Sequence, residues 1–169
     1  RWNPGKFYQD YVQVELSNTA DVKIPRELSR CHHFLILGQA YLITKDENYA
    51  REFVNQITDW IDQNPLMRSI NWGCSMDVAI RAVNWVYALH MLVDSRTLND
   101  EVLKKILHSL YQHGYFIHRN PEKGLVNNGN HYDADLIGLL VLGLLFGGLN
   151  EPEYWVALSV EQLTKEMRM

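Results

Sequence analysis

Two short stretches of the chain hold residue types that can do chemistry. The first is Asn71-Trp72, followed by Met76-Asp77-Val78-Ala79-Ile80-Arg81-Ala82-Val83-Asn84-Trp85. Helical spacing puts Asp77, Arg81, Asn84 and Trp85 on one stripe. An acid, a guanidinium, an amide and an indole together suit a sugar cleft. Tryptophan covers a pyranose face, and arginine grips a carboxylate or sulfate through two parallel hydrogen bonds. Asp77 and Arg81 are spaced to pair with each other. The same residues also fit a plainer arrangement, an ion pair with the indoles of Trp72 and Trp85 in the core.

The second stretch is Asn127-Asn128-Gly129-Asn130-His131-Tyr132-Asp133-Ala134-Asp135, which leads into a strongly apolar run. Amides and an imidazole at a helix start aim donors at whatever lies there, and the helix end adds partial positive charge, so an anion is favoured. Asn130 fits equally well as a simple N-cap. Asp135, one helical turn after His131, is placed to orient the imidazole. A metal set of His131, Asp133 and Asp135 is disfavoured, because Asp133 points to a different face. Arg30, His32 and His33 form a weaker third group, in which Arg30 stands out against apolar neighbours. His90, His108, His113 and His118 have no ligand spacing. The sequence has no phosphate loop, nucleophile-elbow serine, HExxH pair or zinc-type cysteine pairs, so neither a metal nor a cofactor is expected.

Helices must position these groups. Apolar residues at Leu28, Leu35, Leu42 and Ile43 predict a first helix over 25–44, with Pro25 in its tolerant opening position. Asp46 caps a second, which puts Tyr49, Phe53, Ile57, Trp60 and Ile61 on one face and stops at Asn64-Pro65. A third is predicted over 75–93. Asn99 caps a fourth, with Val102, Ile106, Leu110 and Ile117 inward, and the polar loop 119–124 follows. The fifth, 131–146, is apolar nearly all round and is expected to be buried between others. A sixth runs from about 152. Residues 1–24, with Trp2, Phe7, Tyr8 and Tyr11, read as an arm packed across a helical domain covering 25–169. No strand alternation appears. Short connections imply antiparallel hairpins in an all-α fold, and an open arc and a bundle both satisfy the pattern.

Composition sets the outer limits. At 169 residues and 47% hydrophobic, the chain can bury a real core. A net charge of -4 with mixed signs gives no nucleic-acid footprint, so an acidic glycan would have to meet a local cationic patch. Cys31 and Cys74 are expected to be buried free thiols. The longest apolar run, 136–149, is too short to span a bilayer. The chain opens at Arg1, so the lack of a leader does not bear on compartment. Its last residues, Glu166-Met167-Arg168-Met169, fall inside a helical pattern with no stop signal, from which a truncated end is expected.

Three stretches together resemble the heparinase II/III-like family of polysaccharide lyases. One is Pro25-Arg26-Glu27-Leu28-Ser29-Arg30 with Gly38-Gln39-Ala40-Tyr41, Tyr49-Ala50 and Asp59-Trp60-Ile61-Asp62-Gln63-Asn64-Pro65. The second is Asn71-Trp72 with the run 76–85. The third is Gly129-Asn130-His131-Tyr132 with Leu136-Ile137-Gly138-Leu139-Leu140. The chain departs from the family pattern at Arg26, where tryptophan is common, and at Asp77, where glutamate is usual and reaches one methylene further.

The resemblance implies an incomplete α/α toroid, with a C-terminal β-sandwich region following in the full protein. It implies β-elimination on an acidic polysaccharide or oligosaccharide that contains uronic acid, such as a glycosaminoglycan or alginate. Asn130 and His131 match the family's carboxylate-holding group. Asn71, Trp72, Asp77 and Arg81 fall where the family lines or braces its cleft, and Asn84, Trp85, Arg30 and Asn128 join them as substrate-binding candidates. The family's catalytic tyrosine and a further histidine come later than Met169, so the fragment alone is expected to be inactive. A periplasmic or extracytoplasmic location follows from the resemblance only. A toroid stopped early would leave an apolar edge, through which self-association is expected. Two other readings stay open: a carbohydrate-binding or assembly module without catalysis, and a toroid glycoside hydrolase pairing Asp77 with Asp133 or Asp135.

Overall fold

A computed structural model of the chain describes residues 6–11, 21, 23–124 and 129–168. Its helices are α1 (Lys23–Ser29), α2 (His33–Thr44), α3 (Glu47–Gln63), α4 (Ser75–Met91), α5 (Asp100–Arg119), α6 (Asn130–Leu145) and α7 (Asn150–Glu166), with 3-10 turns at Tyr8–Tyr11 and Ile70–Trp72. Among the described residues there is no strand, only an isolated bridge between Phe7 and Arg68. None of these helices is long and apolar enough to cross a membrane. The all-α expectation holds.

Caps decide where two of the helices begin. Asp46 accepts the Asn48 N–H at 2.9 Å and opens α3. Asn99 accepts the N–H groups of Glu101 and Val102 at 3.1 and 3.0 Å and opens α5. Each satisfies donors that a helix start otherwise leaves orphaned.

The single helix predicted over 25–44 is two helices. The chain breaks at Cys31, whose φ of 56° lies in the left-handed region. A non-glycine residue there costs about 1–2 kcal/mol, and tertiary contacts offset it. The Arg30 carbonyl accepts from Asn84 Nδ2 at 2.8 Å, and the Arg30 side chain reaches Asp77. Neither glycine nor proline marks the break, so periodicity runs straight through it. Likewise α6 starts at Asn130 with Gly129 as its N-cap, so residue 130 is not the cap.

Side-chain meetings fix the directions. Phe34 faces Trp85, and Gly38 lies against Ala88 and Met91, so α2 and α4 run parallel. Gly138 lies against Ala79, and Leu144 and Leu145 lie beside Tyr87 and His90, so α4 and α6 run parallel too. Between them α3, α5 and α7 return antiparallel as the second layer. A Cβ on Gly138 would come within 2.7 Å of the Ala79 Cβ, which shows how closely α4 and α6 approach. The core between the layers holds Phe34, Phe53, Trp72, Trp85, Phe116 and Trp155, each no more than 1% exposed.

The expectation that α6 is buried all round needs correction. It packs on α4, α5 and α7, yet Ile137 is 46% and Leu144 67% exposed. Those three neighbours cover one side only, and a helix apolar all round must then show the other.

Candidate functional site

Because α2, α4 and α6 run parallel, their N-termini gather at one end of that layer. A chain of polar contacts ties the end together. Arg30 Nε donates to Asp77 Oδ1 at 2.7 Å in the first turn of α4. The Ser75 N–H, at the start of the same turn, donates to Glu122 Oε1 at 2.6 Å. Glu122 Oε2 in turn meets Nδ1 of His131, in the first turn of α6. Three helix ends pointing one way present their N–H groups and partial positive charge to the same region.

Asn130 and His131 are both exposed at this end. The N-cap of α6, Gly129, offers no side chain to its donors, and a Cβ added there would meet nothing within 4 Å. Among the described residues, nothing crowds the N-cap of this 16-residue helix. Asn130 is the first residue of that helix, where the positive end of the helix favours an anion. His131 is oriented by Glu122, not by Asp135 as its helical spacing suggests. Asp135 is 0% exposed and accepts the backbone N–H of Glu122 at 2.8 Å.

The stripe on α4 is placed differently from the expectation. Arg81, Trp72 and Trp85 are 0%, 1% and 0% exposed, so they offer no open face to a sugar. Asp77 and Arg81 do not pair. The Arg81 guanidinium points inward, with its Cζ 4.2 Å from the Trp60 ring centroid and 5.4 Å from that of Trp72. It donates to His113 Nε2 at 2.9 Å, Ser29 Oγ at 3.1 Å and the Asn71 carbonyl at 3.3 Å. Burial pushes it down to about 10, which still leaves it protonated at neutral pH. Asp77, 3% exposed, braces Arg30 instead. Its burial and pairing also take one carboxylate away from the hydrolase arrangement, and Asp135 is sealed as well. Asn84 is 6% exposed and bonds to the Arg30 carbonyl and His32 Nδ1. Asn128 lies outside the described residues.

Asn71 keeps a place beside open space. It lines a cleft of about 500 Å³ between the α1–α2 break and α3, together with Ser29, His33, Trp60 and Asn64. Trp60 is half-buried there, and its Nε1 donates to Ser29 Oγ at 3.0 Å. The indole that reaches a cleft is thus Trp60 on α3, which the helical reading placed on one face of its helix without naming it as a site residue.

The sequence reading also missed Glu122 and Lys123, which it placed in a plain polar loop. Burial alone would raise the Glu122 carboxyl, but bonds from His131, Cys74 and the Ser75 N–H outweigh it and hold the group below the ordinary glutamate range. Exposed Lys123 carries its Nζ 5.8 Å from the Tyr132 ring centroid, next to the α6 opening. The signal available was proximity in sequence to Asn130, and it could not tell loop from site. Asp135 titrates in the opposite sense: burial pushes it up to about 7, against the pull of the Glu122 N–H. Cys31 and Cys74 are both free thiols, the first buried and the second half-buried.

Comparison with known proteins gives a consistent result. The sequence profile of the heparinase II/III N-terminus matches residues 3–169. A heparin-sulfate lyase of Pedobacter heparinus is 24% identical over 172 residues, covering 97% of this chain and 25% of the relative. A heparin-sulfate lyase of Bacteroides stercoris is 22% identical over 190 residues, covering 99% of this chain and 28% of the relative. The crystal structure of a mutant heparan sulfate lyase from Pedobacter heparinus superposes with a TM-score of 0.79 at 23% identity, over 94% of this chain and 24% of that one. The fold is the one seen there, and the chain spans about a quarter of the length of these relatives.

Proposed function

The chain belongs to the heparinase II/III N-terminus family, and on that premise we propose that it is the substrate-gripping helical part of a longer polysaccharide lyase. The substrate is a glycan containing uronic acid, of the heparan sulfate type that the named relatives suggest. The observation that carries this reading is the exposed Asn130-His131 pair on the uncapped first turn of α6, beside the start of α4.

The chemistry follows from that placement. The C5 proton of a uronate lies alpha to its carboxylate and is weakly acidic. As it leaves, charge builds on the carboxylate oxygens. The Asn130 amide and the free N–H groups of the α6 turn donate to those oxygens and stabilise the developing carbanion or enolate. A base then removes the proton and an acid protonates the departing O4. Those two groups are assigned to the tyrosine and histidine of the longer protein, so this chain alone binds without turnover. Exposed Lys123 supplies local positive charge that the overall balance lacks, while Arg30 is already paired with Asp77 and Glu27. Asn71 and Trp60 offer an amide and an indole to sugar rings in the neighbouring cleft.

The full protein joins this helical part to a β-sandwich region and works in the periplasm or another extracytoplasmic space. The exposed Tyr87, Ile137 and Leu144 on α4 and α6 support self-association of the chain by itself.

The test is the unsaturated-uronate absorbance produced by the full-length protein on heparan sulfate, heparin and alginate. Growth of that absorbance on the first substrate supports the reading. Saturated products or no cleavage of any polyuronate would reject it, as would robust turnover by residues 1–169 alone for the claim that the base and acid lie elsewhere.

A further inference from the structure

Beneath the exposed Asn130 turn, three donor groups from three separate segments converge. Cys74 precedes α4, Glu122 lies in the loop after α5, and His131 is in the first turn of α6. One ligand atom from each, Sγ, a carboxylate oxygen and a ring nitrogen, lies within 4.8 Å of the other two. We propose that Cys74, Glu122 and His131 form a binding site for a divalent transition ion of the zinc class.

The donor set selects the ion. A thiolate, an imidazole and a carboxylate suit zinc or cobalt, whereas calcium and magnesium take oxygen ligands. A tetrahedral centre with zinc bond lengths sets its donors roughly 3.4–3.7 Å apart, so small side-chain rotations bring these three into place. The fourth position is left for water.

The three side chains already meet one another, with His131 and the Cys74 thiol both bonding to Glu122. Cys74 occupies the N-cap position of α4, yet its side chain makes no cap bond. Glu122 provides the bond to the Ser75 N–H from outside, through Oε1, and keeps Oε2 for His131. Asp135 then holds the Glu122 backbone, as outer partners hold metal ligands in general. It is 0% exposed. Burial first, and the Asp77 and Glu122 carboxylates after it, hold the Cys74 thiol well above its ordinary range, so the ion must displace the thiol proton as it binds. Bound there, the ion clamps the start of α4 to the turn that carries Asn130.

Cobalt(II), which reports thiolate ligation in its spectrum, tests this on the purified chain without substrate, so the outcome is independent of the lyase reading. The expected result is one ion bound per chain at micromolar or tighter affinity, with a thiolate-to-cobalt charge-transfer band. Cys74→Ser should abolish the band, while Cys31→Ser, which removes the other thiol, should leave it intact. Glu122→Gln and His131→Ala should each weaken binding by about tenfold or more, with circular dichroism confirming that the helices persist. The proposal is overturned by the absence of a thiolate band in the unsubstituted chain, by a band that survives Cys74→Ser, or by affinity no better than millimolar.

Discussion

Arg81 donates its Nε–H to Nε2 of His113 across 2.9 Å, and both side chains are 0% exposed. An imidazole nitrogen that accepts must carry no proton, so the His113 proton is on Nδ1, which donates to the Ser109 carbonyl at 2.7 Å. A buried guanidinium is thus held by a neutral histidine, inside a cage of Trp60, Trp72 and Trp85.

That bond has a pH consequence. Burial first, and the Arg81 charge second, hold His113 well below its ordinary range. The unfolded chain therefore takes up a proton near pH 6.5 that the folded chain refuses. Stability from this group is complete above the unfolded value and is lost as pH falls below it toward the folded value. Urea midpoints should drop between pH 7.5 and pH 5. In His113→Gln, whose carbonyl can accept from Arg81, the slope should flatten over the same range. An equal slope in both proteins would reject the assignment.

The Arg30 contacts with Asp77 and Glu27 should differ in weight. Arg30 is 18% and Asp77 4% exposed at the side chain, whereas Glu27 is 57% exposed. Arg30→Ala strands a buried carboxylate and should cost about 2–4 kcal/mol, somewhat below a fully buried pair. Glu27→Ala removes a wet partner and should cost only a few tenths of a kcal/mol, roughly the value of a surface pair. Equilibrium denaturation of both variants decides the matter, and similar losses would show that the Asp77 contact carries no special weight.

Gly138 sets the spacing of α4 and α6. Gly138→Ala should destabilise by about 1–3 kcal/mol, since its Cβ would press on the Ala79 Cβ and backbone. The companion change Ala79→Gly should recover part of that loss in a double-mutant cycle. Strictly additive effects would mean that the two residues do not limit the approach.

Asn130 should matter to rate and not to folding. It is exposed and is not the cap of α6. In the full-length protein Asn130→Ala should lower kcat by roughly 10²–10³-fold, the scale of a lost oxyanion donor. In the chain alone it should leave the melting temperature nearly unchanged. An unaltered rate on a uronate substrate, read from the absorbance of the unsaturated product, would remove Asn130 from its role.

Much of the helical layout was legible in the sequence because it is local. Asp46 and Asn99 announce helix starts through side chains that bond two or three residues ahead, and the amphipathic runs of α3 and α5 name their own inner faces. The Asn130-His131 stretch was legible for the same reason, since a polar turn before an apolar run marks an open helix end. The break at Cys31 was hidden, because contacts to Asn84 and Asp77 cause it and both are remote in sequence. Glu122 was hidden as well, since a loop glutamate shows nothing of the three segments it joins.

The sequence by itself determined the all-α class, two cap positions and the polar turn that opens α6. Only the tertiary structure decided what the α4 stripe does. Helical spacing groups Asp77, Arg81, Asn84 and Trp85 but cannot say which neighbour covers them. The α3 and α5 helices close over Arg81 and Trp85, and the α1–α2 break delivers Arg30 to Asp77. Side-chain partners across helices depend on how the layers stack, and that information lies in the packing of distant segments, not in the period of any one.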